Sequence, residues 1–546
     1  MEEDHSDKPL CHKKKAGVSV IYILIGFTVA ALAVFSGYYL GRREGAVGKY
    51  SKLSALLEVI NEEYVDSISP DSLQESLLPL LLEQLDPHCS YLPPEVNSGE
   101  TARLEGSFSG IGIQFNTIKD TVIVINAIDG GPSARAGVKP GDRILAVNGQ
   151  SLLLNPMEND SIMSLLRGKE GSIAALSILR KGKKQDIRVT RGPVPIYSLD
   201  AAYEIEPRVM YVKLNGWTKT TLQELLASIS ENLRRGLDGM VLDLRGNGGG
   251  YMDVAINLSN EFLKAGQDIV MVKGRAYPKE VVRANGSGVL KDLPLVILMD
   301  ELSASSSEIF AGAMQDNDRA MIVGRRSFGK GLVQQTLDFY DGSSARLTVA
   351  RYYTPSGRCI QKPFVRGDNL DYNMELQQRF DDGDLYRTGQ PPKDPKLVFK
   401  TIGGRLVYGG GGISPDVFVP ADTSGLTAYY LRLARSGSIA KYAFVYADNN
   451  RDKLSKFDTE EELIRYLDTQ GLLYKLANFA ATEDGIQQRT GALQFSRKLL
   501  LQQLYALIAD DIFGRTSMWR ITNMGDKTIE EAVKLIKQKK AWPLKK

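Results

Sequence analysis

The spacing of apolar residues changes along this chain, and each change predicts a different structure. Residues 16–41 carry no charged side chain. As a helix, residues 18–40 would run about 34 Å, enough to cross a hydrocarbon core of about 30 Å. The expectation is a transmembrane anchor over 18–40 behind a cytoplasmic tail at 1–17. Lys13, Lys14 and Lys15 precede the stretch and Arg42 and Arg43 follow it, so flanking charge orients it only in part. Ala31-Leu32-Ala33 resembles a leader-cleavage site, but the apolar run continues through Phe35 and Leu40, longer than a cleaved leader needs. On either reading the bulk of the chain lies outside the cytosol.

Leu53, Leu56, Leu57, Val59 and Ile60 recur at helical spacing, as do Leu78, Leu81, Leu82 and Leu85. They predict a helical segment over 44–97, with Ser69-Pro70 a helix start and Pro93-Pro94 its close. Short alternating runs then follow between Gly, Asp and Pro turns, first Gly112-Ile113-Gln114-Phe115 and then Thr121-Val122-Ile123-Val124. With a helix at 161–167 and a strand at 174–179, they predict a small β-rich domain over 98–193. From Arg208 strands and helices alternate. Strands are expected at 209–214, 240–244, 269–272, 295–299 and 321–323, and helices at 220–235, 252–264 and 307–317. This is the pattern of a layered α/β core, here over 194–422, with a largely buried sheet. Residues 362–396 are polar and read as an exposed loop or a partly disordered insertion, and 413–420 return to strand character. From 423 to 546 the leucine spacing is helical, ending in a basic run from Lys534. No internal repeat is visible.

Composition mainly removes functions. The net charge of +3 over 546 residues gives no footing for a nucleic-acid binder. Three cysteines, Cys11, Cys89 and Cys359, cannot build a disulfide framework. Three histidines, His5, His12 and His88, nearly exclude a zinc site, and no metal or other cofactor is expected. Two of them precede the expected anchor, so a Ser-His-Asp triad beyond the membrane could draw only on His88.

Chemistry is expected at the carboxyl ends of the core strands, where loops of α/β sheets form sites. Three loops there are rich in glycine and serine. Asp243–Gly250 ends in three glycines whose N–H groups could face an oxyanion, with a helix start near Met252 adding its dipole; no Gly-Lys-Ser/Thr follows, which disfavours a phosphate loop. Ser303-Ala304-Ser305-Ser306-Ser307-Glu308 opens a helix. Ser305 and Glu308 fit a capping box, yet a serine at this turn is also well placed as a nucleophile. In Ser327–Gln334, Lys330 lies among glycines and apolar residues, where desolvation would lower its pKa and make it a general base. A Ser-Lys dyad therefore suits this inventory better than a triad.

The runs Ser303–Asp316 and Gly324–Gln334, with Asp243–Gly250, Ala350–Arg358 and Gly412–Asp416, resemble the carboxy-terminal processing (tail-specific) serine peptidase family. Leu85-Asp86-Pro87-His88 resembles the N-terminal helical segment of that family, and the likeness spans about Lys49 to Pro420. It implies a crotonase-like peptidase core, with Ser305 as nucleophile, Lys330 as base and Gln334 orienting the lysine. It also implies Asp316 as a supporting acid, with Gly249, Gly250 and the N–H of Ser306 as the oxyanion hole. Ser306 stands where the family is expected to carry alanine, but only its backbone is required. Ser303 and Ser307 remain alternative nucleophiles on the residues alone. The resemblance further implies a PDZ domain whose Gly110, Ile111, Gly112 and Ile113 bind a substrate carboxylate while the peptide adds as a strand. The partners implied are polypeptides with a free C-terminus and, through the anchor, the inner membrane, with the catalytic part periplasmic; the sequence permits a homo-oligomer without specifying one. A catalytically dead PDZ scaffold and a ligand-binding protein on the same fold are the competing functions, disfavoured by the intact Ser305, Lys330 and Gln334.

Overall fold

A computed structural model describes residues 51–118, 121–152, 159–387 and 394–541. The expected anchor at 18–40 and the tail before it lie outside these residues. Among the described residues no helix is long and apolar enough to cross a membrane. The described residues fall into two units, divided between Leu81 and Leu82. The first contributes α1 (Ser51–Glu63) and most of α2 (Pro70–Glu83). Proline opens α2 because its fixed φ suits a first turn and its missing N–H has no helical partner to lose.

In the second unit, β1 (Ser90–Leu92) and α3 (Pro94–Glu105) lead into β2 (Ser107–Gly110). A small domain follows: β3 (Ile113–Ile118), β4 (Thr121–Ala127), α4 (Pro132–Arg135), β5 (Arg143–Val147), β6 (Gln150–Ser151), α5 (Asn159–Leu166), β7 (Ile173–Arg180) and β8 (Lys183–Thr190). Its sheet runs β3-β4-β5-β7-β8, with β6 beside β5, over a core of its own that includes Val124, Ile144, Ile162 and Ile178. β9 (Gly192–Pro195) returns antiparallel to β2, so the entry and exit of this domain are paired.

The core elements are β10 (Leu199–Glu206), β11 (Val209–Leu214), α6 (Thr221–Arg235), β12 (Gly239–Asp243), α7 (Met252–Phe262), β13 (Asp268–Lys273), β14 (Glu280–Arg283), β15 (Leu295–Met299), α8 (Ser306–Asp316) and β16 (Met321–Gly324). After them come β17 (Leu332–Asp338), β18 (Ser344–Tyr353), α9 (Leu370–Asp381), β19 (Val398–Lys400), β20 (Leu406–Tyr408) and β21 (Val417–Phe418). The main sheet runs β10-β11-β12-β15-β16-β21. It is parallel except where β10 meets β11. Every residue of β12 and β15 is buried, as two covered faces require.

Two expectations are corrected. Residues 269–272 do not continue the main sheet: β13 pairs with β14 and β18 in a second, antiparallel sheet that also holds β1 and β17. An apolar run identifies a strand but not its neighbour. The polar stretch 362–396 is not simply a loop, because α9 lies in it with Tyr372 and Arg379 buried.

Among the described residues eight helices follow: α10 (Ala428–Arg435), α11 (Ser438–Leu454), α12 (Glu460–Asp468), α13 (Leu472–Glu483), α14 (Thr490–Phe495), α15 (Arg497–Phe513), α16 (Arg515–Thr522) and α17 (Lys527–Lys537). Most share a separate core around Leu433, Leu463, Leu476, Leu500 and Leu504. The last helix does something else. Ile529, Ala532, Val533 and Ile536 of α17 pack on Val209, Val241, Val296 and Leu298, covering the face of the main sheet opposite α6, α7 and α8.

Candidate active site

Strands β12, β15 and β16 are consecutive parallel neighbours, so the loops leaving their carboxyl ends meet along one edge. Hydrogen bonds join them there. Gly246 N–H donates to Asp300 Oδ1 (2.9 Å), Ala304 N–H to Asn247 O (3.0 Å) and Phe328 N–H to Ser303 O (3.0 Å).

The adjacent serines are not equivalent. Ser303 is buried, its hydroxyl 2.9 Å from Leu244 O and 3.1 Å from Asp300 Oδ1. The Ser307 hydroxyl, also buried, donates to Asn247 O (3.0 Å) and accepts from Trp217 Nε1 (2.9 Å). Ser306 donates its hydroxyl to Gly250 O (2.8 Å). Only Ser305 is half-buried, with no cap bond from its side chain. Its φ of 56° and ψ of −115° are costly for a residue with a Cβ. That turn sets the side chain at the mouth of α8 in a cavity of about 520 Å³ lined also by Gly249, Gly250, Lys330, Gln334 and Arg346.

The acidic partner of Ser305 in the capping box, Glu308, has a larger role. Glu308 is fully buried and its carboxylate accepts from both sides of the site. It takes Ser305 N–H (2.9 Å) on one side. On the other it takes Ser327 Oγ (2.5 Å), Gly329 N–H (2.8 Å) and Lys330 N–H (2.8 Å). Burial pushes its carboxyl up to about 7 against these four donors. The Tyr352 hydroxyl makes a second tie, 2.5 Å from Lys330 O and 3.1 Å from Ser305 O. Sequence reasoning read Glu308 only as a cap and Tyr352 only as part of a flanking motif. The run of four donors meeting one glutamate is formed by the fold and has no local sequence signal.

Lys330 reaches Gln334 Oε1 at 3.1 Å. Burial first, then the Arg346 charge, hold its amine below the ordinary lysine range, while Glu308 and Asp86 oppose them. The glycine loop sits directly against the serine. A Cβ on Gly249 would lie 2.7 Å from Ser305 Cβ, and one on Gly250 would lie 2.2 Å from Trp217 O, both at positive φ. The Gly249 N–H is already given to Asn247 Oδ1 (3.0 Å), which corrects its expected place among the oxyanion donors. Its role is to leave space. Among the described residues the N–H groups of Gly250 and Ser306 have no acceptor within the chain.

A match to peptidase family S41 covers residues 208–370, and one to the PDZ domain covers 109–190. Residues 429–514 match a family of unknown function, DUF8443. The carboxy-terminal processing protease CtpA of Bacillus subtilis (strain 168) is 29% identical over 406 residues, 72% of this chain and 86% of that protein. A probable CtpA-like serine protease of Staphylococcus aureus (strain N315) is 30% identical over 376 residues, 67% of this chain and 74% of that one. The chain belongs to peptidase family S41. It is a serine-type peptidase of the carboxy-terminal processing type with a PDZ domain. Among solved structures, a photosystem II D1 C-terminal processing protease is 25% identical, with 67% of this chain and 91% of that one covered at a TM-score of 0.33.

In this S41 peptidase the expected supporting acid, Asp316, lies at the far end of α8 from Ser305. Asp316 is the last residue of α8 and Ser305 caps its start, about 16 Å apart at 1.5 Å per residue. Asp316 instead pairs with Arg358 at 2.7 Å, both side chains fully buried, and accepts Ser356 N–H at 3.1 Å. The PDZ residues Gly110, Ile111, Gly112 and Ile113 span the turn between β2 and β3. Ile128 N–H donates to Gly112 O, which makes Ile113–Ala127 a non-hydrogen-bonded pair. The Ile113 N–H therefore points to the open side of β3, an edge strand. An isolated bridge joins Gly110 to Arg167 just past α5. The linker helix α3 brings Glu100, Arg103 and Leu104 into the wall of the cavity at Ser305, so the PDZ domain is connected to that cavity through a helix that lines it.

Proposed function

We propose that this peptidase works through a Ser305–Lys330 dyad and selects substrates by their C-termini. Neutral Lys330 takes the Ser305 proton as Oγ attacks the scissile carbonyl. The Gly250 and Ser306 N–H groups receive the developing oxyanion. The resulting ammonium protonates the leaving amine, and a water activated by the same lysine then releases the acyl group. Gln334 accepts one lysine N–H and so leaves the amine lone pair to the serine. The observation that carries this reading is that Ser303, Ser306 and Ser307 all spend their hydroxyls inside the protein, while Ser305 shares an open cavity with a desolvated lysine.

The open edge of β3 supports recognition of a peptide tail by strand addition, with its carboxylate held at Gly110–Ile113. The charge-free stretch 18–40 supports a single-pass anchor with the catalytic part on the periplasmic face of the inner membrane. The test compares one peptide as free acid and as C-terminal amide, with wild type and Lys330→Ala. The amide should bind about tenfold or more weakly, since a charge-assisted hydrogen bond contributes roughly 1.5–3 kcal/mol. Lys330→Ala should bind the acid normally and leave it uncut. Equal binding of acid and amide removes tail recognition; cleavage by Lys330→Ala removes the dyad.

A further inference from the structure

His88 is the one histidine among the described residues, and the proposed chemistry does not use it. It lies in Asp86-Pro87-His88-Cys89, far in sequence from the catalytic loops. The Gln334 side chain nevertheless ends on this loop: its Nε2 donates to the main-chain oxygen of His88. An unbroken line of contacts therefore runs from Lys330 Nζ through the Gln334 amide to His88.

The loop is fixed at several points. Asp86 is buried, and its Oδ1 accepts the N–H of His88 (2.9 Å) and of Cys89 (3.1 Å). Immediately after it, β1 pairs Ser90 with Arg346 of β18. The imidazole has its own anchor, with Nε2 2.6 Å from the Tyr372 hydroxyl. Tyr372 lies in α9, and Lys362 Nζ stands 4.0 Å from the centres of both the Tyr372 and Phe328 rings. Phe328 belongs to the lysine loop. The cluster thus ties together the N-terminal loop, the lysine loop and the inserted helix.

An amide has an acceptor end and a donor end of nearly equal size. With Oε1 toward Lys330, Gln334 accepts and leaves the lone pair of the neutral amine free for the serine proton. Turned over, its NH2 would donate to that same lone pair. A main-chain carbonyl can only accept, so it can pair only with Nε2 and excludes the turned form. Resting on the proposed role of Lys330 as base, we propose that His88 is a positioning residue for the base: its carbonyl, held in place by the imidazole–Tyr372 contact, fixes the sense of the Gln334 amide.

His88→Phe keeps an aromatic ring and removes the anchor, and Tyr372→Phe removes one hydroxyl. For His88→Phe, kcat on a short peptide should fall about tenfold, the scale of one hydrogen bond, with KM unchanged; Tyr372→Phe should fall less, in the same sense. The groups that bear on the Lys330 charge, Arg346, Glu308 and Asp86, are untouched in both variants. An acceptor toward the ammonium favours its charged form, so losing it should move the alkaline rise of kcat to lower pH. A merely loosened site would admit water and move the rise to higher pH. In a Gln334→Leu background, His88→Phe should cost no further activity. Wild-type kcat in both variants, a shift to higher pH, or an undiminished loss on Gln334→Leu overturns the proposal. Lys330→Ala is assayed alongside. An active Lys330→Ala would sink the dyad itself, whereas an inactive one beside a normal His88→Phe and Tyr372→Phe would sink only the role of His88.

Discussion

Glu308 shows how one side chain can hold the Ser305 turn and the Lys330 loop in register. It is fully buried and receives donors from both loops, so its charge state is linked to folding. Its folded pKa of about 7 lies above the ordinary 4.5. The folded state therefore holds the proton more tightly than the unfolded chain. The resulting stabilisation is complete below about 4.5 and is lost as pH rises through about 7. Denaturation of wild type and Glu308→Gln across that range should show wild type losing stability relative to the variant, by an amount on the order of 3 kcal/mol. Parallel curves would mean that Glu308 keeps one charge state throughout. The residue types at the site, Ser305, Lys330 and Gln334, were legible because each sits in a distinctive motif. Ser305 was legible only through the family resemblance; the residues alone left Ser303 and Ser307 open, because the three differ only in where the fold turns their hydroxyls.

At the scale of elements, α8 separates two functions that a linear motif merges. Its first turn carries Ser305 and its last residue pairs with Arg358. Asp316→Ala leaves a buried guanidinium without its partner, which typically costs about 3–5 kcal/mol. Its melting temperature should drop sharply, while molecules that remain folded should keep wild-type kcat. Loss of kcat without loss of stability would return Asp316 to the chemistry. Strands β11, β12, β15 and β16 of the main sheet were legible as apolar runs because both faces are covered, whereas β10, with its mixed burial, was not. The hairpin β17–β18 was not, since β17 is mostly exposed beyond Val333 and its polar residues resemble a loop. The helix α9 was hidden for a similar reason: its contact with the lysine loop runs through Tyr372, Lys362 and Arg379, polar and aromatic residues that a search for leucine spacing passes over.

Over the whole molecule, the chain closes its catalytic sheet with its own last helix. α17 is joined to the glycine loop by Asp526, which caps the helix through Thr528 N–H (2.8 Å) and pairs with Arg245 (2.7 Å). Ile536 lies so close to β12 that a Cβ on Gly239 would meet it at 2.7 Å. Ile536→Ala should destabilise the fold by about 2–5 kcal/mol, read as a lower unfolding midpoint. An unchanged midpoint would show that α17 only rests on the sheet. Sequence spacing made the C-terminal extension legible as helical, but the division of its helices between a separate core and the peptidase sheet depends on long-range packing. The PDZ domain also meets this region through Arg143 and Asp448, 2.7 Å apart. Under the proposed dyad, these elements support one cavity shared by the Ser305 hydroxyl and the Lys330 amine. The most direct measurement is cleavage of a single protein substrate by Ser303→Ala, Ser305→Ala and Ser307→Ala side by side, each checked for folding. The account predicts that Ser305→Ala alone is folded and loses several orders of magnitude in kcat, and that any deficit in the other two follows lost stability. Substantial cleavage by folded Ser305→Ala would contradict it.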